Sequence, residues 1–287
     1  MNIAIIIPVY NALDDVKRCI NSIFKHANFD FTSVIAVDDC SREDTAEYLR
    51  ETAENSNGKL KLVRNEENLG FVQSCNRGLS SVDADIYVLL NSDTEIPQNF
   101  CERIIKCFES DSNIGVASPI ASHSCRYYIA KPLNMAFEDV DNKILETNTP
   151  KYPAIPSAEG FCFCIRKEVI EKIGMLDLAY GKGYCEEVDF SYRAIKAGFR
   201  CALIDNMYVY HRRNCSFGAE QRKECIAINT SVFKERWGNF HKKWVKSFKN
   251  PINKIRKSFY EKAFITDCEK IYVINIFGKL FRIKKKL

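Results

Sequence analysis

The sequence of 287 residues lacks any apolar run long enough to cross a membrane. Its two best candidates, IAIII at the start and IYVINIFGKLF near the end, fall well short of the roughly 20 residues that a spanning helix needs. The first run also lacks the basic flank of a secretory signal peptide. We therefore expect neither a signal peptide nor a transmembrane helix.

Paired cysteine spacings are missing as well. The chain has 13 cysteines, an odd number, and none of them forms a C-x-x-C pair; Cys162 and Cys164 are the only close neighbours. Zinc ribbons and disulfide frameworks depend on such pairs, so both are disfavoured. The pattern predicts reduced cysteines in a cytoplasmic protein, most of them serving as small buried apolar side chains.

Two nucleotide-binding motifs are absent. No G-x-G-x-x-G follows the first apolar run, where the sequence reads PVYNA, and no G-x-x-x-x-G-K-[ST] occurs anywhere. An ordinary dinucleotide-dependent dehydrogenase and a P-loop NTPase are thereby excluded.

Charge is unevenly distributed along the chain. Residues 1–241 carry a net charge of −6, whereas residues 242–287 carry +11. The basic tail is interleaved with aromatic residues, namely Trp244, Phe248, Phe259, Phe264, Phe277 and Phe281. Two interpretations remain open: the tail contacts an anionic membrane surface, or it is solvated and packs its apolar residues on the body. The first would make the protein peripheral on the inner face of the cell membrane. Nucleic acid is the less favoured partner.

Apolar runs alternate with amphipathic segments over the first 120 residues, which predicts βαβ units, an α/β class and a mostly parallel sheet flanked by helices. The expected strands are 2–9, 33–39, 59–65, 84–93 and 115–120. The expected helices between them are 13–23, 43–54, 71–81 and 97–109.

The second half is less regular. Four prolines in residues 121–157 predict an irregular insertion over the site. Further along, the pattern predicts a strand over 159–167, a short helix from 167, a helix ending near Ala197 and one or two short strands within 199–211. It then predicts helices over 219–237 and part of 240–262, and a β-hairpin over 270–285 that turns near Phe277.

Polar residues follow three of the predicted strands, at Pro8–Asn11, Asp38–Ser41 and Asn91–Asp93. Ligands of parallel α/β sheets bind beyond these carboxyl ends. Hard oxygen donors at such a cleft are suited to a divalent cation that holds phosphates. The alternative is that the same residues form turns and cap the following helices.

A second polar cluster lies in GKGYCEEVDFSYR, where Glu186, Glu187 and Asp189 occupy three of four positions. Acidic residues are favourable in a first helical turn, and they are also typical of an active site. Asp189 and Arg193 are four residues apart, which suits an ion pair on a helix. His211, which ends a short apolar segment, is a candidate ligand or a structural histidine.

In order and spacing, seven segments resemble the family 2 glycosyltransferases: IIIPVYNA, VDDCSRED, NLGFVQSCNRGL, LLNSDTEI, EGFCFCIRKEVIEKIGMLD, GKGYCEEVDFSYRAIKAGFR and YVYHRRNCSFG. They span residues 3–218. The resemblance is to non-processive bacterial members that build surface polysaccharides, rhamnosyltransferase-like proteins among them. It implies a GT-A fold over residues 1–218 and a basic helical extension over 219–287 that packs on it.

The resemblance also implies an inverting transfer of a hexosyl or rhamnosyl group from a UDP- or dTDP-sugar to a glycan or lipid-linked hydroxyl, with Mg²⁺ or Mn²⁺. The implied nucleotide-binding residues are Pro8, Tyr10, Asn11, Asp38, Asp39, Asn68, Gly70 and Asn91. Asp93 and His211 would contact the metal; Asn91 replaces the first acid of the family's metal motif. Glu187, where the family usually has aspartate, would be the catalytic base, with Glu186 beside it.

Three rival functions are weighed against this one. A sugar-phosphate nucleotidyltransferase would need a basic glycine-rich loop where PVYNALDD stands. A processive synthase would carry Gln three residues before Arg236, where Phe233 stands, and membrane-spanning helices. A degenerate transferase that acts as a membrane-surface binding module is supported by Asn91, Glu187 and the basic tail.

Overall fold

The computed structural model describes residues 1–122, 126–212, 219–263, 269–276 and 279–286. Side chains are described up to residue 260, except those of residues 219, 221 and 222. In these parts of the chain, no helix is both long and apolar enough to span a bilayer.

The first 90 residues form the predicted succession of strands and helices. The elements are β1 (Ile3–Val9), α1 (Leu13–His26), β2 (Thr32–Asp38), α2 (Glu43–Asn55), β3 (Leu60–Arg64), α3 (Phe71–Ser80) and β4 (Ile86–Leu90). Their strands are parallel, in the order β3-β2-β1-β4. All four carboxyl ends therefore meet at one edge of the sheet.

The following residues extend this sheet. The elements are β5 (Thr94–Glu95), α4 (Phe100–Ser110), β6 (Ile114–Ala121), α5 (Phe137–Thr147), β7 (Ala154–Ile155), β8 (Cys162–Arg166), α6 (Lys167–Ile173), a 3₁₀ turn (Leu178–Tyr180), α7 (Glu186–Lys196) and β9 (Arg200–His211). β8 lies antiparallel between β4 and β6, and β9 pairs parallel with β6. Within this sheet, every strand of five or more residues except β8 runs in one direction, so the predicted mostly parallel α/β sheet is confirmed.

The sheet buries both of its faces, as its continuous apolar strands predict. Side chains of β1 alternate: Ala4 and Ile6 pack with the face that α3 and α7 cover, whereas Ile5 and Ile7 pack with α1 and α4. This alternation follows from the two-residue period of an extended chain.

Two long helices follow the sheet, α8 (Ala219–Lys246) and α9 (Ile252–Ala263), and after them come the antiparallel strands β10 (Glu269–Ile276) and β11 (Lys279–Lys286). The predicted hairpin is therefore confirmed, although its turn lies outside the described residues. Phe259 is fully buried, and Trp244 donates a hydrogen bond of 3.0 Å to the carbonyl of Pro156. For these two aromatic residues the packing interpretation is confirmed. The domain boundary at residue 218 and the membrane contact stay predictions.

Three secondary-structure predictions were wrong. The 121–157 segment contains a helix, α5, whose Val140 and Ile144 are buried in the core. The helix predicted to end at 237 continues through Gly238 to Lys246, because residues on both sides of this glycine, Trp237 and Trp244 among them, pack on the core. Of the one or two short strands predicted within 199–211, the structure has one, but with 12 residues it is not short.

Candidate functional site

Asp39 connects the loops that follow β2 and β3. Its carboxylate accepts hydrogen bonds from the backbone N–H groups of Leu69 (2.8 Å) and Gly70 (2.9 Å) and from the side-chain amide of Asn65 (2.7 Å). Gly70 precedes α3 with a positive φ of 85°, a conformation that favours glycine. Asp39 is therefore buried at the start of α3, and the capping of α2 that its sequence allowed does not occur.

Asp38 and Asn11 are also occupied by neighbouring loops. Asp38 is fully buried, accepts a hydrogen bond from the backbone N–H of Ser41 at 2.9 Å and pairs with Arg64. Asn11 receives a hydrogen bond from the backbone N–H of Arg42 at 2.8 Å, and its own N–H donates to the hydroxyl of Ser41 at 2.8 Å. The acidic residues after β2 thus stabilise the walls of the predicted nucleotide pocket.

The remaining nucleotide-site candidates lie along the same edge of the sheet. Pro8, Tyr10, Asn68 and Asn91 are all partly exposed there. The backbone N–H of Asn91 donates to the carbonyl of Phe161 at 2.9 Å, which places the segment before β8 beside the end of β4. The structure therefore brings the predicted residues together at one edge, while their contacts with a nucleotide stay predictions.

Asp93 and His211 are held together by backbone pairing. Thr94 of β5 lies opposite His211 of β9, and the N–H of Arg212 donates to the carbonyl of Asp93 at 2.9 Å. The Oδ1 atom of Asp93 lies 3.2 Å from the Nε2 atom of His211. The imidazole stacks on the ring of Phe161, with 5.2 Å between ring centroids, which orients the Nε2 atom.

This pair fits a divalent cation that is shared with a diphosphate. Two ligands of one octahedral ion, each about 2.1 Å from it, lie about 3 Å apart, close to the observed spacing of Asp93 and His211. Mg²⁺ in particular binds through one or two carboxylates, here that of Asp93, and completes its shell with phosphate oxygens and water. No group of three or more potential metal-ligating side chains occurs among the described residues.

Two glutamates adjoin Gly160, which lies just before β8: Glu159 precedes it in sequence and Glu187 lies over it. A methyl group added at Gly160 would lie 3.4 Å from the Cγ atom of Glu187, so this glutamate lies directly over the glycine. The pKa of Glu187 is raised to about 7, mainly because the group is buried and in smaller part because of the charge of Glu159. Glu186 is buried, and both its burial and the charge of Glu187 raise its pKa well above the usual value.

The arrangement can supply a base near neutral pH. A carboxyl group with a pKa of about 7 is half deprotonated at neutrality and has a useful affinity for a proton. Burial is the larger cause of this raised pKa, and the charge of Glu159 is the next cause that raises it.

A tight turn leads into the helix that carries these glutamates. Gly181 and Gly183 have positive φ, and so do two residues that are not glycine, Tyr184 (76°) and Cys185 (75°). Such conformations cost about 1–3 kcal/mol each and persist only where surrounding contacts hold them. α7 then begins at Glu186, which confirms the predicted acidic first turn.

Asp189 is a structural residue rather than part of the reacting cluster. Its carboxylate is fully buried and pairs with Arg193 at 2.8 Å, as predicted. It also accepts hydrogen bonds from Arg236 (2.9 Å), Trp237 (2.7 Å) and Tyr180 (3.2 Å). Sequence reasoning considered Arg236 and Trp237 only as a partial synthase motif and missed this role, because the helix that carries them is distant in sequence.

Glu159 and Phe161 were also missed as site residues. The sequence placed both of them on a strand, and only the adjacent Gly160 signals that another chain approaches closely there.

We expect Glu159→Gln to move the acidic limb of the activity-pH profile to lower pH. Removing the negative charge of Glu159 lowers the pKa of Glu187, so the base becomes deprotonated at lower pH. The measurement is the rate of nucleotide release from the donor between pH 5 and 9. An unchanged or upward-shifted acidic limb would show that Glu159 does not act on the base.

The family model described as Glycosyl transferase family 2 matches residues 4–174. An uncharacterized glycosyltransferase of Haemophilus influenzae is 27% identical over 193 residues, which cover 66% of this chain and 60% of that protein. The undecaprenyl-phosphate 4-deoxy-4-formamido-L-arabinose transferase of Pseudomonas savastanoi pv. phaseolicola is 28% identical over 141 residues, 47% of this chain and 42% of that protein. The chain thus matches only about half the length of these relatives.

Among solved structures, the mannosyltransferase PcManGT of Pyrobaculum calidifontis, in complex with GDP-Man and Mn²⁺, is similar in fold. Its TM-score is 0.61 at 17% identity, and the match covers 90% of this chain and 70% of that one. Because the two sequences are only 17% identical, this similarity establishes the fold alone, which is of the GT-A type.

Proposed function

Since the chain belongs to glycosyl transferase family 2, we propose that it moves a sugar from a nucleoside-diphosphate donor to an acceptor hydroxyl, with inversion at the anomeric carbon. One observation carries this proposal. A partly buried glutamate with a pKa of about 7, Glu187, lies at the same edge of the sheet as the pair formed by Asp93 and His211.

Glu187 is proposed to act on the acceptor. Its carboxylate takes the proton of the acceptor hydroxyl while that oxygen attacks the anomeric carbon, and the nucleoside diphosphate leaves from the opposite face. A single displacement of this kind inverts the configuration of the anomeric carbon. Glu186 lies beside this base, and its burial and the charge of Glu187 raise its pKa well above the usual value, which disfavours a second charge there.

Asp93 and His211 are proposed to act on the donor. They would hold Mg²⁺ or Mn²⁺, which neutralises the charge of the departing diphosphate. The ring of Phe161 restricts rotation of the His211 imidazole, so the Nε2 atom stays directed towards Asp93. Pro8, Tyr10 and Asn11 are proposed to line the nucleotide pocket, whose walls Asp38 and Asp39 stabilise through the hydrogen bonds described above.

The proposed donor is a UDP- or dTDP-sugar carrying a hexosyl or rhamnosyl group, and the proposed acceptor is a glycan or lipid-linked hydroxyl in bacterial surface-polysaccharide synthesis. The order of motifs over residues 3–218 supports this assignment, and so does the similar transferase whose name specifies an undecaprenyl-phosphate substrate. The solved relative holds GDP-Man, so GDP-sugars belong in the test.

A thermal-shift panel of UDP-, dTDP- and GDP-sugars with Mn²⁺ tests the donor assignment. A ligand at 100 times its dissociation constant stabilises the native state by about 2.7 kcal/mol, which corresponds to about 5–10 °C in melting temperature. We expect one nucleotide class to give this shift and to release nucleoside diphosphate on incubation.

Two controls sharpen the panel. Asp93→Ala should lose the metal-dependent part of the shift, whereas the exposed Asp83→Ala should keep it. Binding without nucleotide release, even with a range of acceptors, would favour the degenerate binding module. No shift with any nucleotide sugar would contradict the proposal.

A further inference from the structure

The turn before α7 determines where the proposed base lies. Four of its residues have positive φ, namely Gly181, Gly183, Tyr184 and Cys185. Glu186 and Glu187 follow immediately, so a rotation of this turn would displace both carboxyl groups. Side-chain-bearing residues rarely adopt this backbone conformation, so contacts from elsewhere in the fold must hold the turn in place.

Asn229 of α8 supplies such contacts. Its side-chain amide donates two hydrogen bonds, one to the carbonyl of Tyr180 at 2.8 Å and one to the carbonyl of Gly183 at 2.6 Å. Both amide hydrogens are thus donated to the turn, one to the residue before Gly181 and one to a residue after it. The side chain of Asn229 is buried, with 5% of the residue exposed.

The same helix also contacts the first turns of α7. Two turns after Asn229, the side chains of Arg236 and Trp237 reach Asp189. α8 is thereby attached to α7 on both sides of Glu187: through the turn that precedes this residue and through the carboxylate two residues after it.

We propose that Asn229 is a positioning residue for the transfer reaction, holding the 181–185 turn so that the carboxylate of Glu187 remains over Gly160. This inference rests on the proposed function. Asn229 lies on α8, which is outside residues 4–174, the region that matches the family model. In this proposal, α8 nevertheless helps to position the base. Asn229 contacts backbone carbonyls of the turn and acts through them.

The test compares Asn229→Ala and Asn229→Asp with the wild-type chain. Aspartate keeps the size and polarity of asparagine but, when ionised, has no hydrogens to donate to the two carbonyls. We expect kcat for donor turnover to fall about 10–100-fold, since a misplacement of about 1 Å can cost about 100-fold. The donor KM should change less than about threefold, and the acidic limb of the pH profile should move away from its wild-type position.

Ser231→Ala is the matched control, because Ser231 lies on the same helix, is exposed and bonds only the carbonyl of Ala227. It should behave as wild type. A lower melting temperature with unchanged kcat per folded molecule and an unchanged pH profile, in either Asn229 variant, would overturn the inference. Failure of the proposed function is seen separately, as absence of donor turnover by the wild-type chain.

Discussion

Replacing Glu187 by glutamine is expected to lower transfer about 10²–10⁴-fold, the contribution of a general base, while donor binding is retained. The amide has nearly the same shape as the carboxyl group but cannot accept the acceptor's proton. Glu187 lies over Gly160 and is not part of the proposed metal pair, so the donor should still raise the melting temperature. The measurements are steady-state turnover and thermal shift.

The pH dependence supplies a second criterion. In the wild-type chain, activity should rise as pH increases through about 7, because Glu187 must be deprotonated to act as a base. The Glu187→Gln variant should lose this limb in its residual activity. Glu171→Gln, the same substitution on the exposed surface of α6, should change neither quantity. Full transfer by Glu187→Gln would show that another group is the base.

Asp189→Asn is expected to destabilise the fold by about 3 kcal/mol, because it removes the single buried charge that faces both Arg193 and Arg236. Asparagine still offers one carbonyl oxygen to Trp237, so the loss is mainly electrostatic. For a chain of this length we expect a decrease in melting temperature of about 6–12 °C. Calorimetry or circular dichroism at neutral pH measures it.

Asp177→Asn provides the comparison, since Asp177 pairs with the same Arg236 at 2.7 Å but is 33% exposed. Exposed ion pairs contribute at most about 1 kcal/mol, so this variant should melt within about 4 °C of the wild type. Equal effects of the two substitutions would mean that burial at Asp189 does not determine its contribution to stability.

Much of the fold was predictable from local pattern. The strands β1 to β4 follow from continuous apolar runs, and α1 follows from apolar residues at helical spacing, because both depend on which side chains must leave water. The convergence of polar residues after β1, β2 and β4 was also predictable, because parallel strands present their carboxyl ends at one edge of the sheet.

Other features depend on contacts between distant segments. α8 was predicted to end at 237, but it continues to Lys246, and its Phe233 and Trp237 pack on the body. Asp38 and Asp39 were assigned to the nucleotide, yet their carboxylates bind Arg64, Asn65 and backbone amides that no local pattern indicated.

By itself, the sequence determined the α/β class, the edge at which the candidate site lies, and Asp93 and His211 as candidate ligands, because residue type and position at a strand end carry that information. The choice of Glu187 within its acidic cluster came from the family resemblance. Only the tertiary structure decided that Glu159 lies beside Glu187, that burial raises the pKa of Glu187 to about 7, and that Asn229 holds the turn before it. These effects arise from desolvation and short-range contacts between segments tens of residues apart, and the sequence does not display such proximity.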